Sequence, residues 1–306
     1  MVNIVMALLP IGALLAVGWG LSAQRFPGQA FWPLLDRMLF VLLLPALLVE
    51  TVLRTDMAAV AALPLSLAAV ATLLGMTAAL VALRRFIAAD GPAFSSVIQG
   101  AVRINVYAGF AVAAALFGDR GVMLLSLIVA FAIPLDNLLS IAALNIYAQS
   151  APISWAVIFR RIALNPIILA LAGAFLLRGV GAEPPDWVMA SLRLLGSATL
   201  PLALMAAGAG IRFTAERATW RPLGVAVLAN QVLMPLLAFA LCVAFGLDGP
   251  ERAIVILYAA LPTGPAGYAF ARQMGGDAPL MAVIITATTL VAVLGIPFWL
   301  TVLARW

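Results

Sequence analysis

The chain contains no histidine, no lysine and only one cysteine, Cys242. Without histidine it lacks the commonest metal ligand and general base, and a single cysteine cannot form an internal disulfide. Charge is scarce as well: charged residues make up 9% of the 306 residues, whereas hydrophobic residues make up 65%. A soluble domain cannot bury that much apolar surface, so this composition excludes a soluble class and indicates an integral membrane protein.

Long apolar runs divide the chain into segments of membrane-spanning length, since about 20 residues of helix cross the hydrocarbon core. We predict an all-α membrane fold of about ten helices, without a separate soluble domain. The first run is expected to be a retained helix rather than a cleaved signal, because no basic residue precedes Arg25. The predicted spans are 4–21, 34–53, 60–83, 94–117, 121–147, 162–177, 187–210, 222–245, 254–273 and 279–303.

The arginines predict the orientation of these helices. They are scattered through short connections, so we expect no nucleic-acid partner and interpret them as topology signals. With the N-terminus outside, ten arginines lie in inner connections and six in outer ones, which favours both termini outside the membrane. The inner set is Arg25, Arg37, Arg84, Arg85, Arg160, Arg161, Arg212, Arg217, Arg221 and Arg272, and the outer set is Arg54, Arg120, Arg178, Arg193, Arg252 and Arg305.

Landmark residues recur at a nearly constant offset, which predicts an internal repeat. The two halves, residues 1–150 and 151–306, would each hold five helices. An odd number of helices turns the second copy upside down, giving an inverted-topology repeat. The matching pairs are Pro10 and Pro166 and Pro45 and Pro201, each 156 apart, and Pro64 and Pro222 and Gly118 and Gly276, each 158 apart.

The fourth helix of each predicted copy is interrupted. Segment 94–118 carries Arg103, Asn105, Tyr107 and Gly109, and segment 254–276 carries Leu-Pro-Thr-Gly-Pro at 261–265. An interrupted helix frees backbone N–H and C=O groups, which persist inside a bilayer only where protein or a wet cavity satisfies them. We therefore expect broken helices four and nine to cross near the midplane and to form a binding site there.

Arg103 lies about nine residues into its apolar segment, roughly 13 Å at the helical rise. A charge at that depth costs at least about 2.5 kcal/mol on insertion scales, so it should face a cavity or a partner. One interpretation is anion binding. The alternative is structural: Arg103 caps a broken helix, or pairs with Asp136 for packing alone.

Two further polar clusters leave alternatives open. Asp136, two residues after Pro134, is a candidate for a proton- or ion-coupling site, or equally for a buried pair that fixes helix packing. Asn137, Asn230 and Gln231 are each candidates for substrate contact or for interhelical hydrogen bonds.

The second interruption offers backbone rather than charge. Pro262 and Pro265 cannot donate hydrogen bonds, Gly264 allows close contacts, and Thr263 offers a hydroxyl. A half-helix starting at Pro265 would direct its amide-rich N-terminus into a cavity, a favourable place for a carboxylate. The alternative is a simple proline kink.

Together these residues resemble a bacterial member of the auxin efflux carrier family, within the superfamily of bile-acid, arsenite and riboflavin transporters. The resemblance extends over nearly the whole chain. It rests on Arg103-Ile-Asn105-Val-Tyr107-Ala-Gly109 before Phe117-Gly118-Asp119, Pro134 with Asn137, Asn165-Pro166, Ala198-Thr-Leu-Pro201-Leu-Ala-Leu, and Leu261-Pro262-Thr263-Gly264-Pro265 before Gly275-Gly276-Asp277.

The resemblance implies two inverted five-helix repeats. The first two helices of each repeat would form a scaffold, and the other three a transport domain. It also implies a homodimer, an elevator mechanism, and substrates such as auxin, malonate or other carboxylates, with Asn105 as the crossover asparagine that binds the carboxylate. The family's first crossover often carries a proline that is missing here, near Ala111, so we expect the first break to depend on Gly109. The acidic residue of the plant carriers' third helix is also missing.

The sequence thus predicts a secondary transporter of small organic anions, with no cofactor and no metal. The nearest alternative is a sodium-coupled anion symporter of the bile-acid type; a non-transport membrane receptor ranks below it. An intramembrane enzyme would need paired acids, a metal cluster, or a nucleophile beside its base, and the sequence shows none of these patterns, so no enzyme is predicted.

Overall fold

A computed structural model describes residues 2–28, 30–55, 62–87, 90–148, 160, 163–211 and 220–303. Apart from one isolated β-bridge, the regular structure in these ranges is helical, which confirms the predicted all-α class. A single turn at Arg84–Ile87 accompanies the longer helices. These are α1 Val2–Ala23, α2 Phe31–Arg54, α3 Ala62–Ala82, α4 Gly91–Val102, α5 Val106–Tyr147, α6 Pro166–Gly179, α7 Asp186–Ala209, α8 Trp220–Ala244, α9 Gly249–Ala260, α10 Ala266–Gln273 and α11 Ala278–Val302.

Six of these helices are long and apolar enough to cross a membrane: α2, α3, α5, α7, α8 and α11. Two shorter apolar helices are Leu9–Ala23, within α1, and α6. These lengths and compositions indicate a multi-pass membrane protein. The ten-helix count, the inverted repeat and the orientation stay predictions. The boundary between residues 150 and 151, most of the connector 148–161, and Arg161, Arg212, Arg217 and Arg305 lie outside the described residues.

Helix α5 consists of two helices that meet at Gly118. Its 42 residues would extend about 63 Å if straight, roughly twice the hydrocarbon thickness. Gly118 has φ 60° and ψ −151°, angles that are not helical and that glycine adopts without a Cβ penalty. A Cβ on Gly109 would lie 3.2 Å from Leu125 Cδ2, on the other side of this kink, so the chain reverses at Gly118 and returns along its own first segment.

Both predicted interruptions are present as non-helical breaks between two helices. Residues 103–105 separate α4 from α5, and residues 261–265 separate α9 from α10. Helices α4 and α9 have the same length, 12 residues, and each begins with Gly-Pro after an aspartate, at 90–92 and at 248–250. The two aspartates, Asp90 and Asp248, are 158 residues apart, the same offset as between Gly118 and Gly276. Neither half-helix is long enough to cross a bilayer alone, which explains why they are not among the six spans.

The helices pack in two groups. Helix α1 packs most extensively on α7, and α2 packs on α6 and α7. Helix α5 packs on α3, α4 and α9, while α8 packs on α3 and α9. The first group holds the helices of the predicted scaffold and the second those of the predicted transport domain, although the division into moving domains stays a prediction.

Two glycines allow the backbones of α1 and α7 to touch. A Cβ on Gly18 would lie 1.9 Å from the carbonyl oxygen of Met205, and a Cβ on Gly208 would lie 2.0 Å from that of Leu15. Because every larger residue would collide with backbone there, glycine is required at both positions. This contact joins a helix of the first half of the chain to one of the second.

Candidate functional site

The two chain breaks pair with each other. Ile104 and Thr263 form an isolated antiparallel bridge. The Asn105 N–H donates to the Pro262 carbonyl at 2.7 Å, and the Gly264 N–H donates to the Arg103 carbonyl at 2.8 Å. Each break thus supplies the hydrogen bonds that the other lost when its helix ended, which is how interrupted helices become tolerable inside a membrane.

Thr263 fastens this crossing to its surroundings. Its hydroxyl donates to the Gly100 carbonyl at 2.6 Å, and its N–H donates to the Thr288 hydroxyl oxygen at 3.1 Å. Gly264 allows the close approach, because a Cβ there would lie 2.5 Å from the Ile104 carbonyl oxygen. Pro262 and Thr263 therefore hold the crossing together rather than facing the cavity beside it.

A cavity of about 1370 Å³ borders the crossing. Its walls come from both breaks, from α2, α5, α10 and α11, and from the ends of α1, α6 and α7. Seven predicted site residues line it: Arg103, Asn105, Tyr107, Asp136, Asn137, Gly264 and Pro265. The other five, Gly109, Pro262, Thr263, Asn230 and Gln231, do not. The structure thus brings the predicted charge, the crossover asparagine and the start of α10 to one surface.

The Arg103 guanidinium is held in place by contacts with three residues of α5. Nη1 donates to Ser140 Oγ at 3.2 Å and lies 3.5 Å from Asp136 Oδ2, and Nη2 donates to Asn137 Oδ1 at 3.0 Å. The guanidinium also stacks on the Phe270 ring, 4.5 Å from its centroid. A guanidinium has five N–H donors in a planar fork, so these contacts leave donors available to a ligand.

Asn105 begins the second half of the first broken helix. Its side-chain oxygen accepts a hydrogen bond from the Ala108 N–H at 3.2 Å, an N-cap that lets the helix restart three residues after Arg103. The break is thus at residues 103–105, and the expectation that it depends on Gly109 was wrong. Gly109 lies inside α5, where a Cβ would be 2.6 Å from Leu261 Cδ1, so it gives room to the crossing chain.

Two helix N-termini border the cavity. Helix α10 begins at Ala266 with Pro265 at its N-cap, as expected for the second break, and α5 begins at Val106. Among the described residues, the N–H groups of Val106, Tyr107 and Ala266 have no protein acceptor. The first N–H groups of a helix favour an anion, because they carry unpaired donors and the positive end of the helix dipole.

Asn230 and Gln231 lie in a π-helical turn of α8, behind the crossing. The Asn230 amide donates to the Ala101 carbonyl at 2.9 Å, and Gln231 Nε2 donates to Asn230 Oδ1 at 2.6 Å. Trp299 donates to the Gln231 carbonyl at 2.8 Å. These contacts join α8 to α4 and α11, the interhelical role that was one of the two alternatives for this pair.

Several residues of the site were not predicted. Ser140 lies one turn after Asp136, so i, i+4 spacing is a signal that was available. Phe270 comes from the other half of the chain and carries no sequence signal. Further charges that line the cavity are Asp36, Arg37, Arg160 and Arg272. With Arg103 and Asp136 they make four arginines and two aspartates, a formal net charge of +2.

Among the residues that the structure describes, no group of three or more His, Cys, Asp and Glu is placed to hold a metal ion. The cavity offers a bound molecule guanidinium groups, amides, helix N-termini and aromatic rings, besides the carboxylates of Asp36 and Asp136. Guanidinium groups, amides and helix N-termini bind carboxylates and similar oxyanions.

A family of known proteins matches the second half of the chain. Residues 149–300 match the family described as membrane transport protein. No curated protein is significantly similar to the chain. The match supports the resemblance to the auxin efflux carriers and, together with the long apolar helices, indicates that the protein is a multi-pass membrane transporter.

Proposed function

We propose that the protein is a secondary transporter that moves small organic anions, chiefly carboxylates, across the bacterial cytoplasmic membrane. The observation that carries this proposal is the position of Arg103: 7% exposed, at the crossing of two broken helices, and on the wall of a large cavity. A buried arginine with spare donors beside two helix N-termini is a site for an anion. The +2 charge of the lining residues adds to this preference.

A carboxylate bound here would use three kinds of donor. Arg103 supplies the charge, the Asn105 amide nitrogen supplies a hydrogen bond, and the N–H groups at the starts of α5 and α10 supply further donors. The organic part of the substrate would lie among the aromatic side chains of the cavity. These are Trp19, Trp32, Phe40, Tyr107, Tyr268 and Phe270.

The proposed mechanism is an elevator. Helices α1, α2, α6 and α7 would form a scaffold, through which two copies associate as a homodimer. The remaining helices would carry the crossing, with its substrate, across the membrane. Arg37, Arg160 and Arg272 are exposed, line the cavity, and belong to the predicted inner set. With both termini outside, the cavity would open toward the cytoplasm, so the structure would represent an inward-facing state.

Binding of carboxylates to the purified protein tests this proposal. We expect at least one of malonate, succinate, benzoate and indole-3-acetate to raise the apparent Tm and to compete for a common site. Asn105→Ala should weaken that binding by roughly tenfold, because it removes an amide donor and a helix N-cap worth about 1 kcal/mol. Asn145→Ala, a change of the same kind outside the cavity lining, serves as the control.

Flux into proteoliposomes then separates the alternatives. Uptake of the bound carboxylate that requires a sodium gradient would favour the sodium-coupled symporter. Binding without flux under any gradient would favour a receptor and would overturn the transporter proposal. If no carboxylate binds the parent protein, the proposed substrate class is wrong.

A further inference from the structure

We propose that substrate binding is coupled to one proton, because the substrate carboxylate and the Asp136 carboxylate would share the single positive charge of the Arg103 guanidinium. This inference rests on the proposed function, since it assigns the coupling ion of the same site. It also assigns Asp136 to proton binding, in addition to its contact with Arg103 in helix packing.

The contact between Asp136 and Arg103 is loose. Asp136 Oδ2 lies 3.5 Å from Arg103 Nη1, and Asp136 Oδ1 accepts from the Ser140 hydroxyl at 3.4 Å. Hydrogen bonds between a guanidinium and a carboxylate are usually about 2.7–2.9 Å long. In the described part of the chain, Asp136 has no other polar contact. Its charge is therefore balanced mainly by the positive charge of Arg103, and only weakly by hydrogen bonds.

Few other groups face Asp136. Its own helix contributes Asn137 and Ser140, which carry no charge. From α9, Tyr258 lies within electrostatic range, fully buried and with a hydroxyl that has no hydrogen-bond partner in the described structure. The remaining charged residues of the cavity, Asp36, Arg37, Arg160 and Arg272, form no ion pair with Asp136 among the described residues. Of the residues that the structure describes, Arg103 is thus the only countercharge that contacts Asp136.

The charges that must balance are those of Arg103 and Asp136, which are buried, because Arg37, Arg160 and Arg272 on the same cavity are exposed to water. The balance of this buried pair requires a proton. In the empty site, Arg103 and Asp136 carry +1 and −1, which sum to zero. A bound monocarboxylate adds a second negative charge beside a single guanidinium, and an uncompensated buried charge is strongly unfavourable. A proton from the cavity water that forms an O–H bond on the Asp136 carboxylate restores neutrality. Asp136 is 7% exposed and lines the cavity, so the proton and the anion arrive by the same route.

The cycle that follows is a one-to-one symport. The neutral assembly of Arg103, protonated Asp136 and substrate carboxylate crosses the membrane with the moving helices. On release the substrate leaves Arg103, the proton leaves Asp136, and their ion pair forms again. Each monocarboxylate is thus accompanied by one proton, and the site itself carries no net charge across.

Proton uptake on binding tests the inference directly. The probe is whichever of malonate, succinate, benzoate and indole-3-acetate binds the parent protein best, added in weakly buffered detergent solution with a pH indicator. We expect the protein to take up about one proton from solution for each anion that Arg103 binds. Protons that the added carboxylic acid already carries are not counted. Because binding takes up one proton, the association constant for the anion should fall about tenfold for each unit by which the pH rises, over the pH range in which Asp136 takes up that proton on binding.

Four variants separate the role of Asp136 from that of its neighbours. Asp136→Asn should bind the probe without proton uptake, and its association constant should not change with pH through this residue. Asp136→Glu should keep the proton uptake and the pH dependence of binding. Asp36→Asn, the other acid of the cavity, and Asp119→Asn, an exposed acid outside the cavity lining, should retain the uptake. Melting temperatures of all four show which variants are folded.

The outcomes are distinct. Anion binding by the parent without proton uptake, a measurement that needs no variant, would overturn the inference and leave the proposed function standing. Uptake that persists in folded Asp136→Asn would also overturn it. If none of the four anions binds the parent, the proposed function fails, and this inference fails with it.

Discussion

Arg103→Ala is expected to lower the affinity for carboxylates at least about 100-fold and to abolish transport. A hydrogen bond to a charged group contributes about 1.5–3 kcal/mol. Loss of the guanidinium removes more than one such bond, and 1.4 kcal/mol is about a tenfold change in affinity. The variant should also be less stable, by at most about 3–5 kcal/mol, because Asp136 is left buried and unpaired until its carboxylate takes up a proton. Isothermal titration and thermal unfolding measure the two effects.

Two further variants separate charge from stability. The double variant Arg103→Ala/Asp136→Asn removes both charges, so it should recover most of the lost stability but none of the binding. Arg103→Lys keeps the charge and loses the planar fork, so it should bind weakly. Arg120→Ala is the matched control, since Arg120 pairs with Glu251 at 3.0 Å and does not line the cavity. Parent-like affinity in folded Arg103→Ala would contradict the proposed site.

Gly264→Ala is expected to have the second largest effect, on stability and binding together. The added Cβ would lie 2.5 Å from the Ile104 carbonyl oxygen, a backbone atom that cannot move without separating the two breaks. The hydrogen bonds between Gly264 and Arg103 and between Asn105 and Pro262 would lengthen with it. Overpacking of this kind costs about 1–3 kcal/mol, and the altered crossing would also displace Arg103 from the cavity.

Gly173→Ala provides the control, because a Cβ on Gly173 meets nothing within 4 Å. In the interior of α6, alanine should leave binding unchanged and raise stability by up to about 1 kcal/mol. Apparent melting temperatures and carboxylate affinities of the two variants give the comparison. Equal stability of the two variants would show that the crossing tolerates a wider separation than its geometry implies.

Local sequence patterns predicted the structure where the bilayer permits few backbone conformations. Apolar runs predicted the helical membrane class, and the Pro-Gly-rich stretch at 261–265 predicted the second break, because proline cannot continue the hydrogen bonds of a helix. The first break was located less well. Gly109 looked like the weak point, but Asn105 caps the restarting helix, and this capping bond forms only in the folded backbone.

The direction of polar side chains was harder to predict. Asp136, Asn137, Asn230 and Gln231 are all polar residues in apolar helices, and sequence alone left each with two interpretations. The structure places Asp136 and Asn137 on the cavity with Arg103, and it places the Asn230 amide on the Ala101 carbonyl. Which face of a helix meets a cavity depends on its neighbours, so local pattern could not decide between the two.

The amino-acid sequence by itself determined that this is a helical membrane protein and that two of its helices are interrupted around Arg103 and around residues 262–265. These properties follow from the free energy of placing apolar, charged and proline residues in hydrocarbon, which acts on each segment separately. Only the tertiary structure decided that the two breaks pair through Ile104 and Thr263, and that Arg103 meets Asp136, Ser140 and Phe270 beside a cavity. Those contacts join residues up to about 170 positions apart, and they exist only once the packed helices bring the two halves of the chain together.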